Sequence, residues 1–274
     1  CICTLGTGPD DVRAQFEIPT TSSEQTLAAI AGVLDGWDFQ SLGIASFGPL
    51  ELDRASPKFG SIVSTPKPGW SGADLTSLAS GVPYAIDTDV NGAALAEGRW
   101  GAAQGLTSWA YVTVGTGIGV GSIVSGMPVR GLGHSEAGHM RVPRAAGDDF
   151  AGNCPFHGDC LEGLANGPAI EARTGQRGRD VSADDPQWSF VAHALAAMCH
   201  NLALTSLPQR ILIGGGVAMG QPQLMPLIRD GLTASLAIAE RLIGTGMGLK
   251  RVARETGYAG PSTLSRAMTR RRIV

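Results

Sequence analysis

The chain has 274 residues, of which 43% are hydrophobic and 16% charged, and its formal net charge is −3. This composition supplies enough apolar material for a sizeable core and excludes a disordered chain. No run reaches the roughly 18 consecutive apolar residues of a membrane span, and no basic-then-apolar signal peptide opens the chain, so we expect no membrane association. The cysteines number five, an odd count that disfavours a secreted disulfide framework and predicts a cytoplasmic location.

The charge is unevenly distributed along the chain. Residues 245–274 contain seven Lys/Arg and one acid, Glu255, for a net charge of +6, whereas the other 244 residues carry 14 basic and 23 acidic side chains, for −9. This change in composition indicates a boundary near the C-terminal end. The chain opens on Cys1 rather than on methionine, which is typical of a fragment or a processed product.

Short β-rich runs alternate with helix-like runs, a pattern that predicts an α/β protein. The first elements are a strand pair, a helix over Glu24–Leu34 with Thr20, Thr21 or Ser22 as its cap, and a buried strand. A second buried strand then leads into a helix, and a strand, glycine turn and strand follow. A long apolar helix over Phe190–Ser206 precedes the last strand, which runs into a second glycine turn. The predicted strands cover 2–6, 15–20, 41–50, 84–90, 109–126 (two strands) and 210–214.

The sharpest local signal is a cysteine–histidine cluster. Cys154, His157 and Cys160 have the spacing Cys-x2-His-x2-Cys in a tight loop, and two thiolates and an imidazole so spaced can reach one tetrahedral zinc ion. His139 is the best candidate for the fourth ligand, and His134 is the alternative. Such a zinc would be structural, because four protein ligands leave no position open for water. A buried cysteine pair beside a surface histidine is the competing interpretation.

Two glycine-rich turns are candidate contacts for an anion. The segment 114–121 (VGTGIGVG) lies between two apolar runs; its glycines let backbone N–H groups approach an anion, and Thr116 adds a hydroxyl. A plain glycine-rich hairpin explains the segment equally well. The glycines at 214–216 form a similar turn after a strand and are no more specific.

A pair of carboxylates lies near the end of the strand predicted at 84–90. Asp87 and Asp89 lie at its end, and Asn91 opens a helix. A carboxylate at the mouth of a sheet, near phosphate-binding turns, is placed to take a proton from a hydroxyl nucleophile. From this segment alone, a helix-cap role for Asp89 or Asn91 is the better-supported interpretation.

Together these segments resemble the ROK family of bacterial sugar kinases, most closely its fructokinase branch, over about residues 1–235. The most specific part is a Glu-x-Gly-His element followed by the Cys/His loop and Cys-x-Glu. The Cys-x2-His-x2-Cys form and the TDVN at 88–91 are similar to fructokinases, whereas the glucokinase branch usually has CxCGxxGC and NDAN. The matching segments are 46–49, 65–70, 88–98, 114–121, 134–140, 154–173 and 212–217.

The resemblance implies an α/β, two-domain actin-like and hexokinase-like (ribonuclease H-like) ATPase fold. Its implied parts are an N-terminal lobe at 1–96 without the first phosphate turn, a larger lobe with the zinc loop at 97–237, and a helix-turn-helix-like tail at 238–274. ATP and Mg²⁺ would bind in the cleft with a hexose beside them, and the family suggests a homodimer. The fold is expected to be incomplete at both ends.

The activity implied is ATP-dependent phosphorylation of a hexose, D-fructose to fructose 6-phosphate, with Asp89 as general base. The alternatives are a kinase for glucose or mannose, or a non-catalytic, truncated relative with a DNA-binding tail. The sugar contacts implied are Gly48, Asn91, Glu136, His139 and Glu162. The ATP contacts implied are Thr116, Gly117, Gly119, Gly214, Gly215 and Gly216. The zinc ligands implied are His139, Cys154, His157 and Cys160.

Both ends depart from the family pattern. The family opens with a strand and a Gly-Thr-Lys phosphate turn, which this sequence does not contain, so one ATP phosphate contact is expected to be missing. The segment 246–271 resembles the second helix-turn-helix of AraC-type regulators, with Gly257 in the turn and Ser262 or Thr263 as a cap. A basic surface helix that closes the kinase lobe is the competing interpretation. AraC-type proteins use two such motifs and this chain has one, so DNA is not expected as a partner.

Overall fold

The computed structural model describes residues 1–79 and 81–244, with side chains up to residue 237. These residues form two compact units. Unit 1 comprises Cys1–Gln104 and Val129–Ser135, and unit 2 comprises Gly105–Pro128 and the described residues from Glu136 onward. The predicted helix-turn-helix at 246–271 lies outside the described residues.

Unit 1 contains two small sheets and two helices. The antiparallel pair β1–β2 confirms the predicted strand pair, and β3 runs parallel to β4 with Ile44 opposite Ile86. Among the three predicted caps of the first helix, the structure selects Ser22, whose hydroxyl accepts a hydrogen bond from the N–H of Gln25. The elements are β1 (Ile2–Gly8), β2 (Asp11–Glu17), α1 (Ser23–Asp35), β3 (Leu42–Ser46), β4 (Tyr84–Thr88) and α2 (Asp89–Trp100).

The core of unit 1 forms around the irregular chain between β3 and β4. Ile62 is fully buried, and the rings of Trp70 and Phe47 pack in an edge-on arrangement with centroids 5.1 Å apart. The indole N–H of Trp70 donates to the carbonyl of Thr21 at 2.8 Å, so its polar atom is satisfied inside the core. The cluster consists of Leu50, Leu52, Ile62, Trp70, Leu75 and Ile86.

Unit 2 is built on one four-stranded sheet of order β7-β6-β5-β8. Strands β5 and β6 form the predicted hairpin, and β8 lies parallel to β5 on its other side. The strands are β5 (Trp109–Val114), β6 (Ile118–Val124), β7 (Met127–Pro128) and β8 (Arg210–Gly214). The helices are α3 (Leu161–Ala165), α4 (Gly167–Thr174), α5 (Gln187–Thr205), α6 (Gly216–Gly220) and α7 (Leu224–Gly244).

Helix α5 runs through the core of unit 2 and packs against α7. It begins three residues before the predicted start, because the carboxylate of Asp185 accepts the N–H of Gln187 at 2.8 Å and supports the first turn. Leu195, Met198 and Ile228 are fully buried, and burying a side chain of this kind stabilises the fold by about 1.5–3 kcal/mol. Burial also raises the pKa of the Cys199 thiol to about 12, which favours its neutral form over the reactive thiolate.

None of the helices within 1–79 and 81–244 combines the length and the apolar character needed to cross a membrane.

Candidate active site

The turn between β4 and α2 exposes one carboxylate. Helix α2 begins at Asp89, and its cap is Thr88, whose hydroxyl accepts the N–H of Asn91 at 3.2 Å. The cap interpretation of Asp89 and Asn91 is therefore wrong. Asp89 is exposed, and its Oδ1 accepts the N–H of Val90 at 2.8 Å. Among the described residues, we observe no hydrogen-bond donor to the second carboxylate oxygen, Oδ2.

A buried network supports this turn from behind. Asp87 is only 8% exposed, and its Oδ1 accepts from the N–H of Thr88 and from Nδ2 of Asn91, both at 2.8 Å. Its Oδ2 forms an ion pair with Arg130. Asn91, predicted as a sugar contact, is thus 4% exposed and uses its amide to hold Asp87. Sequence reasoning missed Arg130, because no local pattern relates residues that lie 43 positions apart.

Asp89 also lines a cavity of about 380 Å³ within unit 1. The cavity wall includes Ser46 and Phe47 at the end of β3, together with Lys67. The ammonium of Lys67 lies 3.5 Å from the centroid of the Phe47 ring, a cation–π contact. An exposed carboxylate, a cation and an aromatic face thus share one cavity, whose other lining residues are mostly apolar.

Gly48 is predicted as a sugar contact, and the structure shows why no side chain fits there. A Cβ at Gly48 would lie 2.9 Å from Nε2 of His134. That same nitrogen accepts the N–H of Leu50 at 3.1 Å. His134 is therefore engaged within unit 1, and it is not part of the cluster of possible metal ligands in the described residues. The alternative fourth zinc ligand is wrong.

The four remaining predicted ligands meet in unit 2. The candidate ligand atoms of His139, Cys154, His157 and Cys160 all lie within 4.8 Å of one another. Nδ1 of His139 is 3.7 Å from Sγ of Cys154 and 3.5 Å from Sγ of Cys160, and Nδ1 of His157 is 3.8 Å from Sγ of Cys154. A tetrahedral zinc with ordinary bond lengths separates a nitrogen and a sulfur ligand by about 3.6 Å. The donor set and its spacing fit zinc.

The loop geometry that brings these ligands together depends on glycine. Gly158 has φ 63°, and it exchanges two backbone hydrogen bonds with Cys154, at 3.0 and 2.9 Å, which close the loop. A Cβ at Gly163 would lie 2.8 Å from the nitrogen of Cys154. Cys160 occupies the cap position of α3, and burial raises the pKa of its thiol.

The tip of the β5–β6 hairpin is a closed turn. The N–H of Gly115 donates to the carbonyl of Gly117 at 2.9 Å, and Thr116 between them is exposed. Gly119, also predicted as an ATP contact, lies within β6 opposite Thr113. The side chain of Glu162, predicted to contact sugar, reaches this turn, where its Oε2 accepts the N–H of Ile118 at 2.9 Å.

The other predicted ATP contacts follow β8. A Cβ at Gly214 would lie 2.5 Å from the hydroxyl of Tyr111, and Gly215 has φ 93°, so both positions require glycine. Gly216 lines a second cavity, of about 300 Å³, with Arg177 and Arg179. Sequence reasoning singled out neither arginine.

The predicted site residues fall into two groups. Unit 1 holds Asp89, Asn91 and Gly48, and unit 2 holds the zinc ligands, the glycine turns, Glu162 and Glu136. Glu136 is exposed immediately before a 3-10 turn (Ala137–His139), and its carbonyl accepts the N–H of His139 at 2.9 Å. Each unit therefore carries one part of the predicted chemistry: a proton acceptor in the first, and anion-binding turns with a metal cluster in the second.

Comparison with known proteins identifies relatives along most of the chain. The ROK family matches residues 5–250. A fructokinase of Pediococcus pentosaceus is 38% identical over 276 residues, covering 97% of this chain and 94% of that protein. A fructokinase of Zymomonas mobilis is 46% identical over 214 residues, covering 73% of this chain and 70% of that protein. The crystal structure of a ROK hexokinase from Thermus thermophilus matches with a TM-score of 0.66 at 27% identity, covering 81% of this chain and 82% of that one.

Proposed function

The chain belongs to the ROK family, and we propose that it is an ATP-dependent sugar kinase that converts D-fructose to fructose 6-phosphate. The observation that carries the proposal is the similarity to a fructokinase over 97% of the chain. The exposed carboxylate of Asp89, at the start of α2, supports the part of the proposal that needs a general base. Free thiols are typical of a reducing compartment, so we place the reaction in the cytoplasm.

Asp89 is proposed as the general base. Its Oδ1 is held by the N–H of Val90, which leaves Oδ2 to accept the proton of the attacking sugar hydroxyl. As the bond from the sugar oxygen to the γ-phosphorus forms, the bond from that phosphorus to the β,γ-bridging oxygen breaks and ADP leaves. Mg²⁺ bound to the phosphates would neutralise the charge that develops on them.

The remaining roles are proposals for the groups described above. Glu136, His139 and Glu162 would orient the sugar hydroxyls through charge-assisted hydrogen bonds. Thr116, Gly117, Gly119 and the turn at 214–216 would contact ATP, with the backbone N–H groups of Thr116 and Gly117 donating to its phosphates. His139, Cys154, His157 and Cys160 would hold a zinc ion that keeps the loop ordered and takes no part in the chemistry. A homodimer is expected, and no DNA-binding role enters the proposal.

The test is fructose-dependent release of ADP by the purified chain with Mg²⁺, with glucose and mannose as competing substrates. Asp89→Asn preserves the shape of the side chain and removes the base, so we expect kcat to fall by about 10²–10⁴-fold. Asp10→Asn is the matched control, because Asp10 is an exposed aspartate in the same unit. Full activity of Asp89→Asn would refute the assigned base, and faster turnover of glucose than of fructose would refute the assigned sugar.

A further inference from the structure

The turn at the tip of the β5–β6 hairpin is held by the junction between α3 and α4. The N–H of Gly167 donates to the carbonyl of Gly115 at 2.7 Å, and Nδ2 of Asn166 donates to the carbonyl of Thr116 at 2.9 Å. Oε2 of Glu162 accepts the N–H of Ile118, also at 2.9 Å. Three hydrogen bonds thus connect a turn of four residues to helices that follow it by more than 40 positions.

These contacts set the direction in which the turn can donate. In a trans peptide the C=O of one residue and the N–H of the next lie in one plane and point in opposite directions. Because the carbonyls of Gly115 and Thr116 point at the α3–α4 junction, the N–H groups of Thr116 and Gly117 point away from it. We observe no hydrogen bond from either N–H to a described residue, so both are available to an anion.

Asn166 has two separate structural duties. Its Oδ1 accepts the N–H of Ala169 at 2.8 Å and thereby caps α4, while its Nδ2 serves the turn. The residue is only 7% exposed, so water competes little for either bond. A Cβ at Gly167 would lie 3.2 Å from the carbonyl of Gly115, so glycine at this position permits the close approach of the two backbones.

We propose that Asn166 is a positioning residue for the triphosphate of ATP, because its amide fixes the Thr116–Gly117 peptide, whose N–H on Gly117 binds phosphate. The neighbouring N–H of Thr116 belongs to the peptide that Gly167 holds. This inference rests on the proposed kinase function. Asn166 acts through the turn and not on the sugar, so its loss raises the KM for ATP and the Kd for ADP, while the KM for fructose stays the same.

The test separates the two duties of the side chain. Asn166→Ser retains an oxygen that caps α4, since serine and asparagine are similarly good caps, but it is too short to reach Thr116. We expect the KM for ATP and the calorimetric Kd for ADP to rise about five- to tenfold, as the loss of one buried hydrogen bond predicts, and the KM for fructose to change by less than about twofold. Ser22→Ala, which removes the cap of α1 alone, is the matched control and leaves both constants unchanged.

Each outcome decides the inference. A Kd for ADP within about twofold of wild type in folded Asn166→Ser overturns it, as does an equal rise in both KM values. If Asn166→Ser does not fold, Asn166→Asp keeps the cap and the shape and places an oxygen against the carbonyl of Thr116, so it must raise the Kd at least as much. Wild-type protein that binds ADP but does not turn over fructose would refute the proposed function, and the ADP titrations would still decide the role of Asn166.

Discussion

Replacing Arg173 by methionine should strongly destabilise unit 2, because a buried carboxylate loses its bidentate partner and keeps only the longer 3.7 Å contact with Arg144. The side chains of Arg173 and Asp148 are 1% and 4% exposed, and two parallel hydrogen bonds join them, at 2.8 and 2.9 Å. Nε of Arg173 also donates to the carbonyl of Leu164 at 3.1 Å, and its guanidinium lies 4.3 Å from the ring centroid of Phe150. The arginine therefore ties the loop between His139 and Cys154 to α3 and α4.

Breaking a buried, bidentate pair by removing one partner costs about 3–5 kcal/mol. For a protein of this size, we expect a fall in Tm of roughly 6–20 °C in Arg173→Met, measured by urea and thermal unfolding. Arg13→Met is the control: Arg13 forms a 2.8 Å pair with Asp11, but both side chains are largely exposed, so no measurable change is expected. A loss below about 1 kcal/mol in Arg173→Met would refute the reasoning.

The same pair makes stability depend on pH. The hydrogen bonds from Arg173 lower the pKa of Asp148 below its ordinary value. A carboxyl whose folded pKa lies below its unfolded value of about 3.9 stabilises the protein above that pH, and this contribution is lost as the pH falls through the folded pKa. The difference in Tm between wild type and Asp148→Asn should therefore be constant above about pH 5 and shrink below about pH 4. A difference that grows on acidification would contradict the assigned direction.

Two further predictions concern the metal cluster and the turn that carries Asp89. Purified protein should contain one zinc ion per chain by elemental analysis. Cys160→Ser should lose this ion and melt at a lower temperature. Cys199→Ser, which changes a buried cysteine outside the cluster, should retain it. Equal zinc content in both variants would rule out the proposed site. Arg130→Met should lower kcat about tenfold and leave the KM for ATP within about twofold, because Arg130 pairs with Asp87 two residues from the proposed base. Arg54→Met, which changes an exposed arginine, is the kinetic control. An unchanged kcat in Arg130→Met would exclude the positioning role.

The secondary structure and the metal loop could be read from local sequence. Period-two and helical spacing predicted the β1–β2 pair, the β5–β6 hairpin and α5, because these elements depend on neighbours a few residues away. The Cys-x2-His-x2-Cys spacing predicted three candidate ligands within one loop for the same reason, and the structure brings their side chains together. Two helices begin earlier than predicted because a preceding side chain accepts a hydrogen bond from the first turn. Thr88 accepts the N–H of Asn91 in α2, and Asp185 accepts the N–H of Gln187 in α5.

Contacts between distant segments could not be derived in this way. The choice of His139 over His134 as the candidate fourth ligand depended on which of two histidines the fold directs to Leu50. The partner of Asp87 is Arg130, and the partner of the Thr116 carbonyl is Asn166, at separations of 43 and 50 residues. Many residues of the chain could have served as the partner of Asp87 or of the Thr116 carbonyl. The sequence alone therefore does not select one of them.

The sequence by itself determined the α/β class, the order of the elements, the candidate metal loop and the family resemblance, since each depends on residue types at short spacing. Only the tertiary structure decided which polar groups are buried together and which face solvent. The physical reason is that a buried donor or acceptor must find a partner among the groups that packing brings within about 3 Å, and packing is a property of the whole unit. Asp87 and Asp89 illustrate the difference: two aspartates two residues apart, one enclosed in an ion pair and the other exposed beside a cavity.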